Sequence, residues 1–134
     1  MAYIWPIGGG KGGSGKSFLT CTLGRLLAGF GKKTLLIDLD LGAANLHTFL
    51  NVPYPAKNLS DFIRKKGTSL EDIILETPIP DLFLISGAND TLDIANLPYE
   101  KKMKTMRSIA KLKFDCIFLD LGAGTSFNTL DFFL

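Results

Sequence analysis

Cysteine is nearly absent: Cys21 and Cys116 are the only two in 134 residues, and they lie far apart. That excludes a disulfide scaffold and leaves no C-x-x-C pair for a metal or redox centre. Long apolar runs are missing as well; none approaches the ~20 residues a membrane helix needs. The N-terminus has neither the charged start nor the apolar stretch of a secretory leader. Charge of one sign is not in excess: 15 Lys+Arg against 13 Asp+Glu gives +2, too little by itself to imply nucleic acid or a membrane surface. No internal repeat or low-complexity segment occurs. What remains is ordinary globular composition, 46% hydrophobic and 21% charged, at a length that supports one core. The expectation is a reduced, cytoplasmic, soluble protein with one domain over residues 1–134. Its apolar end, Leu130-Asp131-Phe132-Phe133-Leu134, has no cap, Gly or Pro; domains usually end on polar residues, so this end reads as part of a longer protein.

The order of elements is informative. Tyr3-Ile4-Trp5-Pro6-Ile7 reads as a buried strand, although Pro6 cannot donate to a ladder. Residues 8–15 form a Gly-rich loop. Residues 16 to about 29 are helix-like, with Leu19, Leu23, Leu26 and Leu27 as the expected inner face and Gly29 and Gly31 as possible stops. Thr34–Ile37 is an apolar strand running into Asp38. Pro53 and Pro55 mark a loop, and 58–66 a short helix on Leu59, Phe62 and Ile63. Thr68 and Glu71 have capping-box spacing before Ile73-Ile74-Leu75. Leu82–Ile85 is a third strand. Pro98 opens a helix over 99–112 with Met103, Met106, Ile109 and Ala110 inward, and Cys116–Leu119 is a fourth strand ending in Asp120. Apolar strands alternating with helices predict an α/β fold: a mostly parallel sheet with helices on both faces.

Gly10-Lys11-Gly12-Gly13-Ser14-Gly15-Lys16-Ser17 fits G-x-x-x-x-G-K-[ST] between a strand and a helix, the context that gives this P-loop motif its meaning. Glycines let successive backbone N–H groups turn toward an anion, and the following helix N-terminus adds partial positive charge. Lys16 is the point charge for β- and γ-phosphates, and the Ser17 hydroxyl is a Mg²⁺ ligand. Phe18 follows directly and is counted with the nucleotide-binding set.

Two strands end in acid, Asp38 and Asp120, and in an open parallel sheet ligands bind beyond the carboxyl ends of the strands. Asp120 follows four apolar residues, as a magnesium-holding Walker-B acid does. Gly122 and Gly124 could bring backbone N–H groups near a γ-phosphate. Asp38 and Asp40 are spaced to share a side of an extended chain, one for the metal's water shell and one for a nucleophilic water.

These residues match a known family. Lys11-Gly12-Gly13-Ser14-Gly15-Lys16-Ser17 resembles the deviant Walker A motif, K-G-G-x-G-K-[ST], of the MinD/ParA ATPases, with Lys11 as the distinguishing mark. Asp38 through Leu46 resembles their switch I, D-x-D-x-G-x-x-N-L, and Asp120-Leu121-Gly122-Ala123-Gly124 their switch II, with Gly122 in place of the usual Pro. The resemblance spans residues 8–124 and implies a homodimer in the ATP state that sandwiches two nucleotides. It implies that Lys11 reaches the partner's phosphates, that Lys16 and Ser17 bind phosphate and Mg²⁺ in the same subunit, that Asp40 positions the attacking water, that Asp120 supports the metal, and that Asp38 and Asn45 assist; Asp38 is also counted with Ser17 and Asp120 in the metal set. The cofactors implied are ATP/ADP and Mg²⁺. D-L-G-x-A-N-L is nearer to the flagellar-number (FlhG-like) and MinD side than to plasmid partition proteins. The iron-protein branch needs a cysteine shortly after switch II, and residues 121–134 have none.

Other features read more plainly. His47, Cys21, Cys116 and Trp5 are taken as structural. Lys101, Lys102, Lys104, Arg107, Lys111 and Lys113 form a basic run read as a solvated face; the alternative is a patch for membrane lipid or DNA backbone. Two rival functions remain beside the ATP-gated switch: a P-loop phosphotransferase acting on a small molecule, against which Lys11 argues, and a non-catalytic nucleotide-binding module.

Overall fold

The structure is a computed structural model and describes residues 2–7, 14–39, 46–53, 57–64, 67–87 and 98–121. Strands β1 (Tyr3–Ile7), β2 (Thr34–Asp38), β3 (Leu75–Glu76), β4 (Leu82–Ile85) and β5 (Cys116–Asp120) form one sheet in the order β1-β5-β2-β4-β3. All neighbours run parallel except the two-residue β3, which is antiparallel to β4. The expected α/β architecture is therefore present. β3 was not anticipated; Thr77 closes its turn, its N–H and hydroxyl both donating to the Leu82 carbonyl, around Pro78 and Pro80.

Helices cover both faces. Helix α1 (Ser14–Gly29) and the single turn α2 (Leu46–Phe49) pack on one side, where Cys21, Ala28, Leu46 and Leu50 meet Leu36, Leu82, Leu84 and Phe118. Helices α3 (Leu59–Arg64) and α4 (Tyr99–Ala110) and a 3₁₀ turn (Leu70–Ile73) cover the other. There Leu59, Phe62, Leu70 and Ile109 bury Leu35, Ile37, Ile117 and Leu119. The alternation of side chains along β2 and β5 feeds the two clusters in turn.

Helix α1 sits differently from its expected orientation. Leu19 and Leu26 face out, 49% and 55% exposed, and Leu23 and Leu27 are half-buried. The buried row is Ser17, Thr20, Cys21, Gly24 and Ala28. Small side chains let the helix approach the sheet: a Cβ placed on Gly24 would lie 3.0 Å from Leu36 Cδ2 and 3.1 Å from Leu82 Cδ1. The helix ends at Gly29, and two residues on the chain turns at Gly31, whose φ of 80° suits glycine, with Lys32 N–H donating to the Leu27 carbonyl.

Two smaller corrections follow. The cap before the 3₁₀ turn is Ser69 with Asp72, one residue beyond the expected pair; the Asp72 carboxylate accepts from the Ser69 N–H at 2.9 Å. That bond holds the Asp72 carboxyl below its ordinary pKa. In α4 the buried residues are Thr105 and Ile109, Met103 and Met106 are half-buried, and Ala110 is exposed. Strand β1 holds Pro6 because it lies at the sheet edge. Tyr3 N–H donates to the Asp115 carbonyl and Leu121 N–H to that of Ile7, so the main chain of odd residues faces β5, and Pro6 turns its missing N–H outward.

Candidate functional site

The ends of three strands converge. Leu39 N–H donates to the Asp120 carbonyl at 2.9 Å, and Leu121 N–H to the Ile7 carbonyl at 3.0 Å, so β1, β5 and β2 are stitched at their carboxyl ends, where α1 begins. Lys16 and Ser17 occupy the first turn of α1, in which the backbone N–H groups have no partner within the helix.

The side chains meet at Asp120, which is 1% exposed. Its Oδ1 forms an ion pair with Lys16 Nζ, and its Oδ2 accepts from Ser17 Oγ at 3.2 Å. The helix dipole and the lysine both offset the buried carboxylate. Asp38 lies beside it, paired in register with Asp120 and equally buried. One oxygen of Asp38 accepts from the Leu46 N–H at 3.2 Å, which ties the start of α2 to the end of β2 across residues 40–45.

The structure thus brings four of the expected residues together: Lys16, Ser17, Asp38 and Asp120. Phe18 does not join them; its side chain is 62% exposed. Gly15 lies in the first turn of α1 with open space where a Cβ would be. Ser14 opens the helix. Gly10, Lys11, Gly12, Gly13, Asp40, Asn45 and Gly122 lie outside the described residues. Thr20, one turn after Lys16, is fully buried and its hydroxyl donates to the Lys16 carbonyl at 3.0 Å, a bond that satisfies it within its own helix.

The donors fit a hard, oxygen-seeking divalent cation such as Mg²⁺: a hydroxyl and a carboxylate already 3.2 Å apart, with a second carboxylate on the next strand. Cys21, one turn beyond Ser17, is no nucleophile. Burial, with Asp120 and Asp38 adding to it and Arg25 opposing, pushes its thiol up to about 11. A cavity of about 500 Å³ opens at the opposite end of the strands, between Lys33, Phe83, Lys111 and Phe114. It contains none of these groups.

Comparison with known proteins bears on the same residues. The family model described as CobQ/CobB/MinD/ParA nucleotide binding domain matches residues 6–125. The septum site-determining protein MinD of a Synechocystis strain is 33% identical over 126 residues, covering 92% of this chain and 46% of that protein. The antiactivator FleN of Pseudomonas aeruginosa is 27% identical, covering 96% and 46%. The structure of MinD from Pyrococcus horikoshii, complexed with Mg-ADP, superposes with a TM-score of 0.78 at 31% identity over 97% of this chain and 53% of that one. The chain spans about half the length of the curated relatives it matches.

Proposed function

Since the chain belongs to the MinD/ParA nucleotide-binding family, we propose that it is a P-loop domain of an ATP-binding and ATP-hydrolysing dimeric switch. ATP favours a homodimer that engages a protein partner or a surface, and hydrolysis releases it. The observation that carries this reading is the convergence of Lys16 and Ser17 on Asp120 at the carboxyl ends of the strands.

In this reading residues 10–17 cradle the phosphates with their backbone, and Phe18 and Gly122 contribute main-chain contacts. Lys16 leaves Asp120 to neutralise the β- and γ-phosphates. Ser17, Asp38 and Asp120 hold Mg²⁺, which supplies charge neutralisation on the phosphoryl oxygens. Asp40 orients the attacking water, Asn45 assists, and Lys11 acts across the dimer. The Mg-ADP complex of the Pyrococcus relative supports the cofactor assignment. Among the described residues no helix is long and apolar enough to cross a membrane. Lys101, Lys104, Arg107 and Lys111 are exposed on and just after α4, available to membrane lipid or DNA backbone.

The test is Mg·ATP turnover per chain against protein concentration. A specific rate that rises with concentration, and that Lys11→Ala abolishes while nucleotide binding persists, supports the dimer. A flat rate unaffected by Lys11→Ala supports the phosphotransferase. Nucleotide binding without turnover leaves a binding module.

A further inference from the structure

The cavity of about 500 Å³ at the end of the strands away from Lys16 has no part in the proposed function. The strand order places its walls. Glu76 of β3 is in register with Phe83 of β4, Phe83 with Leu35 of β2, and Leu35 with Ile117 of β5. Residues in register share a face of the sheet, here the face that α3 and α4 cover. Lys33, two residues before Leu35, falls on the same side, and Phe114 belongs to the same cluster. From β3 to β5 is three strand spacings, about 14 Å.

The two walls carry opposite charge. On the β3 side stand Glu76 and, from the 3₁₀ turn, Glu71; on the β5 side stand Lys111 and Lys113, from the turn between α4 and β5. All four are exposed, and none forms an ion pair with another described residue. Between the walls lies an aromatic floor. The rings of Phe83 and Phe114 meet edge to face with centroids 5.5 Å apart, and the Lys33 ammonium stands over both, 5.5 and 4.7 Å from their centroids. The floor is fixed from below. Lys33 N–H donates to Asp115 Oδ2 at 2.8 Å, and the Lys33 carbonyl accepts from the N–H groups of Asp115 and Cys116 at 2.8 and 3.2 Å. A preformed hollow of this size, apolar at the base with a few convergent charges, is the ordinary form of a small-molecule site.

We infer that this cavity binds a short peptide with free termini and an aromatic side chain. Its carboxylate lies among Lys33, Lys111 and Lys113, its ammonium between Glu71 and Glu76, and its ring on Phe83 and Phe114. Charge selects a zwitterion. A plain anion would sit beside two unpaired carboxylates, and a plain cation would meet three ammonium groups; a molecule with a charge at each end pairs with both walls. Spacing selects the length. The width of β2 and β4 keeps the walls apart, so a single α-amino acid, whose two charges flank one carbon, reaches only one of them. Two or three residues, at about 3.4 Å each, bridge the gap left between the side chains. The site lies at the other end of the strands from Lys16 and Asp120, and the inference does not rest on the nucleotide reading.

The probe is the tripeptide Ala-Phe-Ala, titrated into the 134-residue chain in four forms: both ends free, amino end acetylated, carboxyl end amidated, and both blocked. Calorimetry reads the affinity, and the NMR shifts of the Phe83 and Phe114 rings read the place. The expected result is one-to-one binding of the free peptide, about tenfold weaker with either end blocked and lost with both. Ala-Ala-Ala should bind about tenfold more weakly than Ala-Phe-Ala. Lys111→Gln with Lys113→Gln should shrink the penalty for amidation, and Glu71→Gln with Glu76→Gln the penalty for acetylation. The peptide series on the unchanged chain decides the matter even where a variant fails to fold. No saturable binding of the free peptide up to about 10 mM overturns the inference. So does an acetylated peptide that binds as tightly as the free one, which would leave an anion site on the lysines alone. An amidated peptide as tight as the free one, or shifts that miss Phe83 and Phe114, overturns it equally.

Discussion

Strands β1 and β2 flank the same neighbour, have the same length and read as similarly apolar, yet they have opposite fates. Every residue of β2 is buried; in β1 three of five are exposed and two half-buried. The difference is position. β2 sits at the centre of the sheet with α1 on one face and α3 and α4 on the other, while among the described residues β1 has a strand, β5, on one side only. Composition therefore identifies a strand, and place in the sheet decides what it contributes to stability.

Truncation at the centre should cost most. Leu36→Ala, at a fully buried β2 side chain also pressed against Gly24, is expected to lower the urea-unfolding free energy by about 3 kcal/mol. Filling the α1–sheet gap is next. Gly24→Val forces its side chain into Leu36 and Leu82 and should cost about 2 kcal/mol by overpacking, whereas Gly24→Ala asks only for small movements of two flexible leucine ends and should stay near neutral. A smaller effect tests the buried side by pH. Cys21 keeps its proton in the folded state up to about 11, whereas an ordinary thiol releases it near 9.0. Between those values the folded chain binds more protons than the unfolded one, so stability falls as pH rises through this window. Cys21→Ala should flatten that slope in pH-dependent denaturation. Alkylation at neutral pH should likewise reach the half-buried Cys116 before Cys21. The least effect belongs to the edge: Trp5→Ser should change stability by less than about 1 kcal/mol. A cost equal to that of Leu36→Ala would mean that β1 is covered in the free chain.

Much of the site was readable because P-loop chemistry is written in contiguous residues. Gly10 through Ser17 stands out by spacing, and Asp38 and Asp120 by their place after apolar strands; of these the structure brings Lys16, Ser17, Asp38 and Asp120 to one place, and what they do there belongs to the proposed function. The orientation of α1 was not readable. Leucines occur at Leu19, Leu23, Leu26 and Leu27, so hydrophobic periodicity chose the leucine row. Close approach to the sheet selected the small row through Gly24 instead, a criterion of volume that a hydrophobic count does not see. The same holds for α4, where Thr105 is buried and donates its hydroxyl to the Lys101 carbonyl: a local bond satisfies its polarity, and Ala110 is left outside. α2 and β3 are too short to carry a period at all.

The Lys16–Asp120 ion pair has a consequence for the order of events in the proposed switch. An arriving phosphate meets an ammonium that is already neutralised, and entry becomes an exchange of one counter-ion for another. The displaced carboxylate is then the place where a cation binds best, and a cation bound first would free the lysine. By linkage each ligand must raise the other's affinity by the same factor. Metal and nucleotide should therefore load as a unit whose occupancy rises more steeply than either alone.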